Sequence, residues 1–251
     1  MRRARIAHKG AAVWGELTDG LTHVRLANGE LIDASAAQWL PPVMSGATIF
    51  ALGLNYADHN RELGFAPTQA APLVFLKGAS ALVGHAGETP RPADAHQMHP
   101  ECELVAIIGR PARSVSAEDA LGYVGGYTIA NDYAIREYLE NYYRPNARVK
   151  NRSATTPIGP WVIDAADIGN PQGLKLATRV NGETVQQGST AEMILGVAGL
   201  IEFLSSFMTL MPGDMILTGT PQGLHFVKPG DRVECEIEGI GILTNHIVEA
   251  A

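Results

Sequence analysis

Glu101-Cys102-Glu103-Leu104-Val105-Ala106-Ile107-Ile108-Gly109 is the stretch whose reading decides the fold. An apolar run of this length, bounded by glycine, reads as a buried strand. Two carboxylates stand two residues apart at its mouth. Strand side chains alternate between faces, so Glu101 and Glu103 share one face and Cys102 points to the other. Neighbouring carboxylates repel, and taking them out of water costs several kcal/mol each, so the pair calls for a compensating positive charge. An isolated pair would more often be simply the wet face of an edge strand. A second strand-like run, Gly125-Gly126-Tyr127-Thr128-Ile129-Ala130-Asn131-Asp132, also ends in a carboxylate. Three carboxylates without a nearby Cys or His cluster favour an oxygen-liking divalent ion, Mg²⁺ or Mn²⁺.

Outward from this strand the chain is rich in short strands. Residues 1–45 carry turn signals at Asp19-Gly20 and Asn28-Gly29 and form a small N-terminal β cap, leaving 46–251 as the larger unit. Thr48-Ile49-Phe50-Ala51-Leu52-Gly53-Leu54 is a further buried strand, leading into the polar segment 55–63. Helical spacing is present over 117–124 and 133–143. The clearest helix is expected over about 190–208, opened by a Ser189-x-x-Glu192 capping box, with Ile194, Val197, Ile201 and Leu204 inward and Pro212-Gly213 as the stop. Strands follow at 215–218, 232–237 and 242–248. The pattern is β-rich α+β, with neither βαβ alternation nor a glycine-rich dinucleotide fingerprint.

Composition narrows the partners. The chain has 251 residues, 46% of them hydrophobic and 18% charged, which describes a globular protein with a sizeable core. Nineteen Lys and Arg against 26 Asp and Glu give a net charge of −7, without a basic run for nucleic acid. Small molecules are the expected partners. Met1-Arg2-Arg3 is not followed by an apolar signal segment, and no stretch of about 18 apolar residues is present, so a cytoplasmic location is expected. Cys102 and Cys235 are too few for a disulfide framework and read as buried small hydrophobes.

Further residues offer chemistry. His59 and Glu62 stand three apart, so on one helical turn they can pair as a base and its orienting carboxylate. The same spacing is common on surfaces. Lys77, which ends Leu73-Val74-Phe75-Leu76, and Lys150 can counter an anionic substrate or equally lie along the surface. Thr218-Gly219-Thr220-Pro221-Gln222-Gly223 is a tight turn whose hydroxyls and N–H groups can receive a carboxylate, or merely reverse the chain.

Gly53-Leu54-Asn55-Tyr56-Ala57-Asp58-His59, Glu101-x-Glu103, Asn131-Asp132, Val180-Asn181-Gly182-Glu183 and Pro212-Gly213-Asp214 through Thr218-Gly219-Thr220-Pro221 occur in one order that resembles the fumarylacetoacetate hydrolase family. The match covers about residues 46–249. It implies a mixed β-sandwich or roll with short flanking helices. By position, Glu101, Glu103 and Asp132 would be the metal ligands, His59 and Glu62 a dyad carried on a lid, and Lys150 and Lys77 pocket lysines. Within the family, Gly84-His85 through Asp94 and Asn131 through Asn146 resemble members that join two such modules in tandem and act in homoprotocatechuate breakdown. One departure is Ser153 after Arg152, where the resemblance leads one to expect an aspartate.

That resemblance implies divalent-metal-dependent decarboxylation of 5-carboxymethyl-2-oxo-hex-3-ene-1,7-dioate, isomerisation of 2-hydroxyhepta-2,4-diene-1,7-dioate, or both. A 2-oxo acid can chelate one metal ion through its carboxylate and keto oxygen, so developing enolate charge is stabilised there. Because such a 2-oxo di- or tricarboxylate carries distant negative charge, Arg136, Arg144, Arg148 and Arg152 are candidate clamps, of which one or two should reach the pocket. Thr220 would join the substrate-binding groups. As a single module, the chain would pair with a second copy or with a sister module. Two other functions fit the same residues: a hydrolase of acylpyruvates, and a catalytically silent module that binds metal and supports an active partner.

Overall fold

The structure is a computed structural model describing residues 1–62, 72–139 and 147–250. In chain order its strands are β1 (Arg2–His8), β2 (Ala11–Leu17), β3 (His23–Leu26), β4 (Leu31–Asp33), β5 (Gln38–Leu40), β6 (Ile49–Gly53), β7 (Leu73–Leu76), β8 (Leu82–Val83), β9 (Glu88–Arg91) and β10 (Met98–His99). The second half supplies β11 (Cys102–Ile108), β12 (Val124–Asn131), β13 (Ala134–Ile135), β14 (Thr156–Asp164), β15 (Lys175–Val180), β16 (Glu183–Ser189), β17 (Met215–Leu217), β18 (Arg232–Ile237) and β19 (Gly241–Glu249). Short helices α1 (Ala57–Glu62), α2 (Ala117–Ala120), α3 (Ala147–Lys150) and α4 (Ala165–Ile168) sit between strands, and α5 (Val197–Phe207) is longer. The β-rich α+β reading holds.

Among the described residues, twelve strands form one mixed sheet along the path β4-β3-β2-β1-β14-β12-β11-β17-β6-β7, with β5 on β1 and β8 on β14. β11 lies inside it, antiparallel to both β12 and β17, as its apolar run requires. A five-stranded sheet, β16-β15-β18-β19-β9, packs across one face. Alternation along β11 divides the interior. Cys102, Leu104, Ala106 and Ile108 face Leu176, Cys235, Ile237 and the buried side of α5, whereas Val105 joins Ile49, Ala51, Phe75 and Ile158 on the opposite face. Both cysteines are buried and free. The strands of residues 1–45 enclose their own small cluster of Ala4, Ile6, Val24 and Leu26 against Trp161. They continue the main sheet through Arg2 opposite Ile163.

Two helix expectations are corrected. Over 190–208 the chain makes a 3₁₀ turn at Thr190–Glu192, and α5 starts only at Val197. Ser189 does cap that turn, accepting from the Ala191 N–H. Continuation is interrupted because the N–H groups of Ile194 and Leu195 donate to the backbone and side-chain oxygens of Asn55, leaving Ile194 exposed rather than inward. Over 133–143, Ala134 and Ile135 pair with β10, and a 3₁₀ turn occupies Arg136–Tyr138. Residues 140–143 of that expected helix lie outside the described residues. No described helix is long and apolar enough to cross a membrane.

Candidate metal centre

The end of β12 and the residue just before β11 are locked together at one end of the sheet. The Asn131 side chain accepts the Glu101 N–H at 2.9 Å, and the Asp132 N–H donates to the Glu101 carbonyl at 2.9 Å. This reciprocal closure brings Asp132 beside the two glutamates. One carboxylate oxygen from each of Glu101, Glu103 and Asp132 lies within 4.8 Å of the others, and all three residues are buried.

Two lysines supply positive charge. Lys150, from the end of α3, donates to Glu101 Oε2 at 2.5 Å and to the Asp132 carbonyl at 2.7 Å. Lys77, just past β7, donates to Asp132 Oδ1 at 2.6 Å and to the Lys150 carbonyl. Burial pulls the Lys77 ammonium below its ordinary pKa, with Asp132 opposing that shift. Burial also opposes the Lys150 charge, but Asp132, Glu101 and Glu103 outweigh it and raise that pKa. The carboxylates divide in the same way. Glu101 is burdened by burial yet held below the usual range by Lys150, while burial, reinforced by Asp132 and Glu101, pushes Glu103 well above it.

A hard cation fits this arrangement. Asp132 Oδ2 lies 3.2 Å from Lys150 Nζ but makes no hydrogen bond, which leaves a buried carboxylate oxygen without a hydrogen-bond partner. Burial without such a partner is costly, and an all-oxygen donor set suits Mg²⁺ or Mn²⁺. Glu103 Oε2 accepts the Gly219 N–H at 2.7 Å. Gly219 has φ +85°, and a Cβ there would come within 3.1 Å of the Asn55 Cβ, so glycine suits both the conformation and the close approach.

α1 approaches from β6. His59 Nδ1 lies 3.0 Å from Glu62 Oε2, and Glu62 also accepts the N–H groups of Gly223, at 3.1 Å, and Leu224, at 2.9 Å. Partial burial alone would raise the Glu62 carboxyl, but those N–H groups and His59 hold it below its ordinary value. His59 is buried, unlike its partner.

The candidate arginines separate. Arg136 Nε donates to His99 Nε2 at 2.9 Å, and its Nη2 lies 3.6 Å from Glu101 Oε1. Burial lowers the His99 pKa to about 3, consistent with a neutral ring that accepts from the guanidinium. Arg148 and Arg152 instead lie over the Tyr138 ring, 4.4 and 5.2 Å from its centroid, while Lys150 points inward from the same segment. Arg144 lies outside the described residues. Thr220 is buried, and its hydroxyl accepts from Gln186 at 2.9 Å. His99 and Gln186 are supporting residues that sequence reasoning missed, and Asn131 was read there only as part of the Asn131-Asp132 motif, without a role. The available signals were a histidine two residues before Glu101 and a polar residue within a strand-like run.

The C-terminal domain model of fumarylacetoacetate (FAA) hydrolase matches residues 48–248. The chain belongs to the fumarylacetoacetate hydrolase family. Over 207 residues it is 55% identical to a 4-hydroxyphenylacetate degradation bifunctional isomerase/decarboxylase of Salmonella dublin, a match covering 82% of this chain and 48% of that protein. The chain thus spans about half the length of the first curated relatives it matches. Among solved structures, a 5-carboxymethyl-2-hydroxymuconate delta-isomerase from Mycobacterium smegmatis superposes with a TM-score of 0.87 at 34% identity, covering 100% of both chains. A fumarylpyruvate hydrolase from Pseudomonas aeruginosa, solved with Mn²⁺ and pyruvate, has a TM-score of 0.76 at 33% identity over 85% of this chain and 92% of its own. The family resemblance drawn from the motifs is therefore established.

Proposed function

We propose that this family member decarboxylates 5-carboxymethyl-2-oxo-hex-3-ene-1,7-dioate and isomerises the resulting 2-hydroxyhepta-2,4-diene-1,7-dioate, using a divalent cation held by Glu101, Glu103 and Asp132. The observation that carries this reading is the buried carboxylate triad, in which Asp132 Oδ2 accepts no hydrogen bond. It is read together with 55% identity to a bifunctional isomerase/decarboxylase. When bound, the Mg²⁺ or Mn²⁺ ion supplies a Lewis acid for the carboxylate and keto oxygens of a 2-oxo acid.

The protein groups do the rest. Lys150 and Lys77 hold Glu101 and Asp132 in place, and Thr220 offers a hydroxyl to the substrate. Loss of CO₂ leaves an electron pair delocalised as a dienolate, and protonation at a different carbon yields the isomerised 2-oxo acid. His59 transfers that proton, with Glu62 fixing the ring through Nδ1 so that Nε2 is presented to the substrate. Arg136, tethered by His99, is the arginine beside the carboxylate triad and the candidate for a distal carboxylate; Arg152 serves such a role only if it leaves Tyr138.

A second reading is acylpyruvate hydrolysis, supported by the structural similarity to the fumarylpyruvate hydrolase. The two are separated by Mn²⁺-dependent turnover of 5-carboxymethyl-2-oxo-hex-3-ene-1,7-dioate, followed by ultraviolet absorbance and CO₂ release, with an acylpyruvate in parallel. CO₂ release is expected. Cleavage of the acylpyruvate alone would replace the decarboxylase reading with the hydrolase.

A further inference from the structure

Gln186 lies in β16, the edge strand of the smaller sheet, yet its amide is buried against both β11 and the Thr218–Gly223 turn. Its Oε1 accepts the Thr178 hydroxyl at 2.7 Å and the Cys102 N–H at 3.4 Å. Its Nε2 donates to the Pro221 carbonyl at 2.8 Å and to Thr220 Oγ1 at 2.9 Å. All the amide's donors and both acceptor positions are thereby used.

Two backbone groups fix which way round the amide sits. The Cys102 N–H can only donate and the Pro221 carbonyl can only accept, so oxygen must face β11 and nitrogen must face the turn. A flipped amide would set its nitrogen against the Cys102 N–H and its oxygen against the Pro221 carbonyl, and neither of those groups can change role, unlike the Thr178 and Thr220 hydroxyls. Consequently Thr220 Oγ1 must accept from Gln186, and its own proton is directed elsewhere. Among the described residues that proton has no acceptor. The adjoining Gly219 N–H is already bound to Glu103, so the turn that carries Thr220 is seated on the carboxylate triad.

Resting on the 2-oxo acid reading above, we propose that Gln186 is a positioning residue that sets the polarity of the Thr220 hydroxyl, making it a hydrogen-bond donor to an anionic oxygen of the substrate. A hydroxyl free to rotate would spend part of its time presenting lone pairs to that oxygen. Gln186 removes this orientation before the substrate arrives, at no cost during binding.

The test pairs two substitutions at Gln186 with one at Thr220. Gln186→Glu keeps the size but removes both donors, so Thr220 would donate to the new carboxylate and present lone pairs to the substrate. Gln186→Met removes the constraint without reversing it, and carries the test if the glutamate variant does not fold. The readouts are Mn²⁺ affinity, the dissociation constant of oxalate as a non-reacting dianion that can chelate the metal, and KM against kcat for the 2-oxo acid. Gln186→Glu is expected to weaken oxalate binding and raise KM about tenfold or more, with Gln186→Met intermediate and Mn²⁺ affinity within about twofold of wild type. In a Thr220→Val background, either Gln186 change should add little, because the group it orients is gone. Equal effects with and without Thr220, or unchanged oxalate binding in Gln186→Glu, would overturn the assignment. Wild-type protein that binds neither oxalate nor a 2-oxo acid would instead overturn the functional reading, and this inference with it.

Discussion

Glu103 and Glu62 grasp the same turn from opposite sides. Glu103 accepts the Gly219 N–H at its start, and Glu62 accepts the Gly223 and Leu224 N–H groups at its end. Glu103 belongs to a strand hydrogen-bonded on both sides, and burial beside two other carboxylates favours its neutral form. Glu62 ends a six-residue helix, remains partly exposed, and is held charged by N–H donors and His59. Under the proposed roles, the contrast separates two tasks. A cation site needs carboxylates whose repulsion is stored in a stiff frame, whereas a proton-transfer group needs an anchor that water and ligand can still reach.

The strongest way to test that division is Glu103→Ala. Turnover with Mn²⁺ should be abolished, and Mn²⁺ affinity should fall by more than the roughly 10–100-fold typical of losing an outer-shell partner. Full activity in this variant would refute the ligand assignment. Next comes Lys77→Met, which leaves Asp132 with Lys150 as its sole cationic partner among the described residues. In chelator the variant should lose about 3–5 kcal/mol of unfolding free energy, and saturating Mn²⁺ should restore much of it by binding the folded state. An identical loss with and without Mn²⁺ would show that Lys77 packs the floor rather than balancing its charge. The smallest effect is expected from Glu62→Gln, which keeps an acceptor for the turn but removes the charge that orients His59. A fall in kcat of about tenfold, roughly 1.4 kcal/mol, with unchanged Mn²⁺ affinity is expected. Reduced Mn²⁺ affinity would mean that the two carboxylates are not separable.

The parts of this site legible in the sequence are those encoded locally. β11 and β12 announce themselves by apolar runs, and strand alternation alone places Glu101 and Glu103 on one face. His59 and Glu62 are similarly close in sequence. The lysine roles become physical only when β7 and α3 bring residues 77 and 150 to Asp132. Gln186 is less visible still, since its four partners come from β11, β15 and the 218–223 turn. The expected helix at 190 failed for the same kind of reason. Its propensity and capping signal were local, but Asn55, far away in the chain, claims the N–H groups that would have continued it. Arg136 and Arg152 carry equal charge in the sequence; the fold gives one a buried imidazole beside the triad and the other an aromatic face.

Cys102, between the two glutamates, is fully buried and packs on the opposite face of β11. Through the pleat, the hydrophobic interior and the charged pocket share one backbone segment, so steric pressure on one side becomes displacement on the other. A larger side chain at position 102 would therefore act as a remote lever on chemistry. Its signature would be a pocket that holds its ion poorly inside a protein that still melts cooperatively.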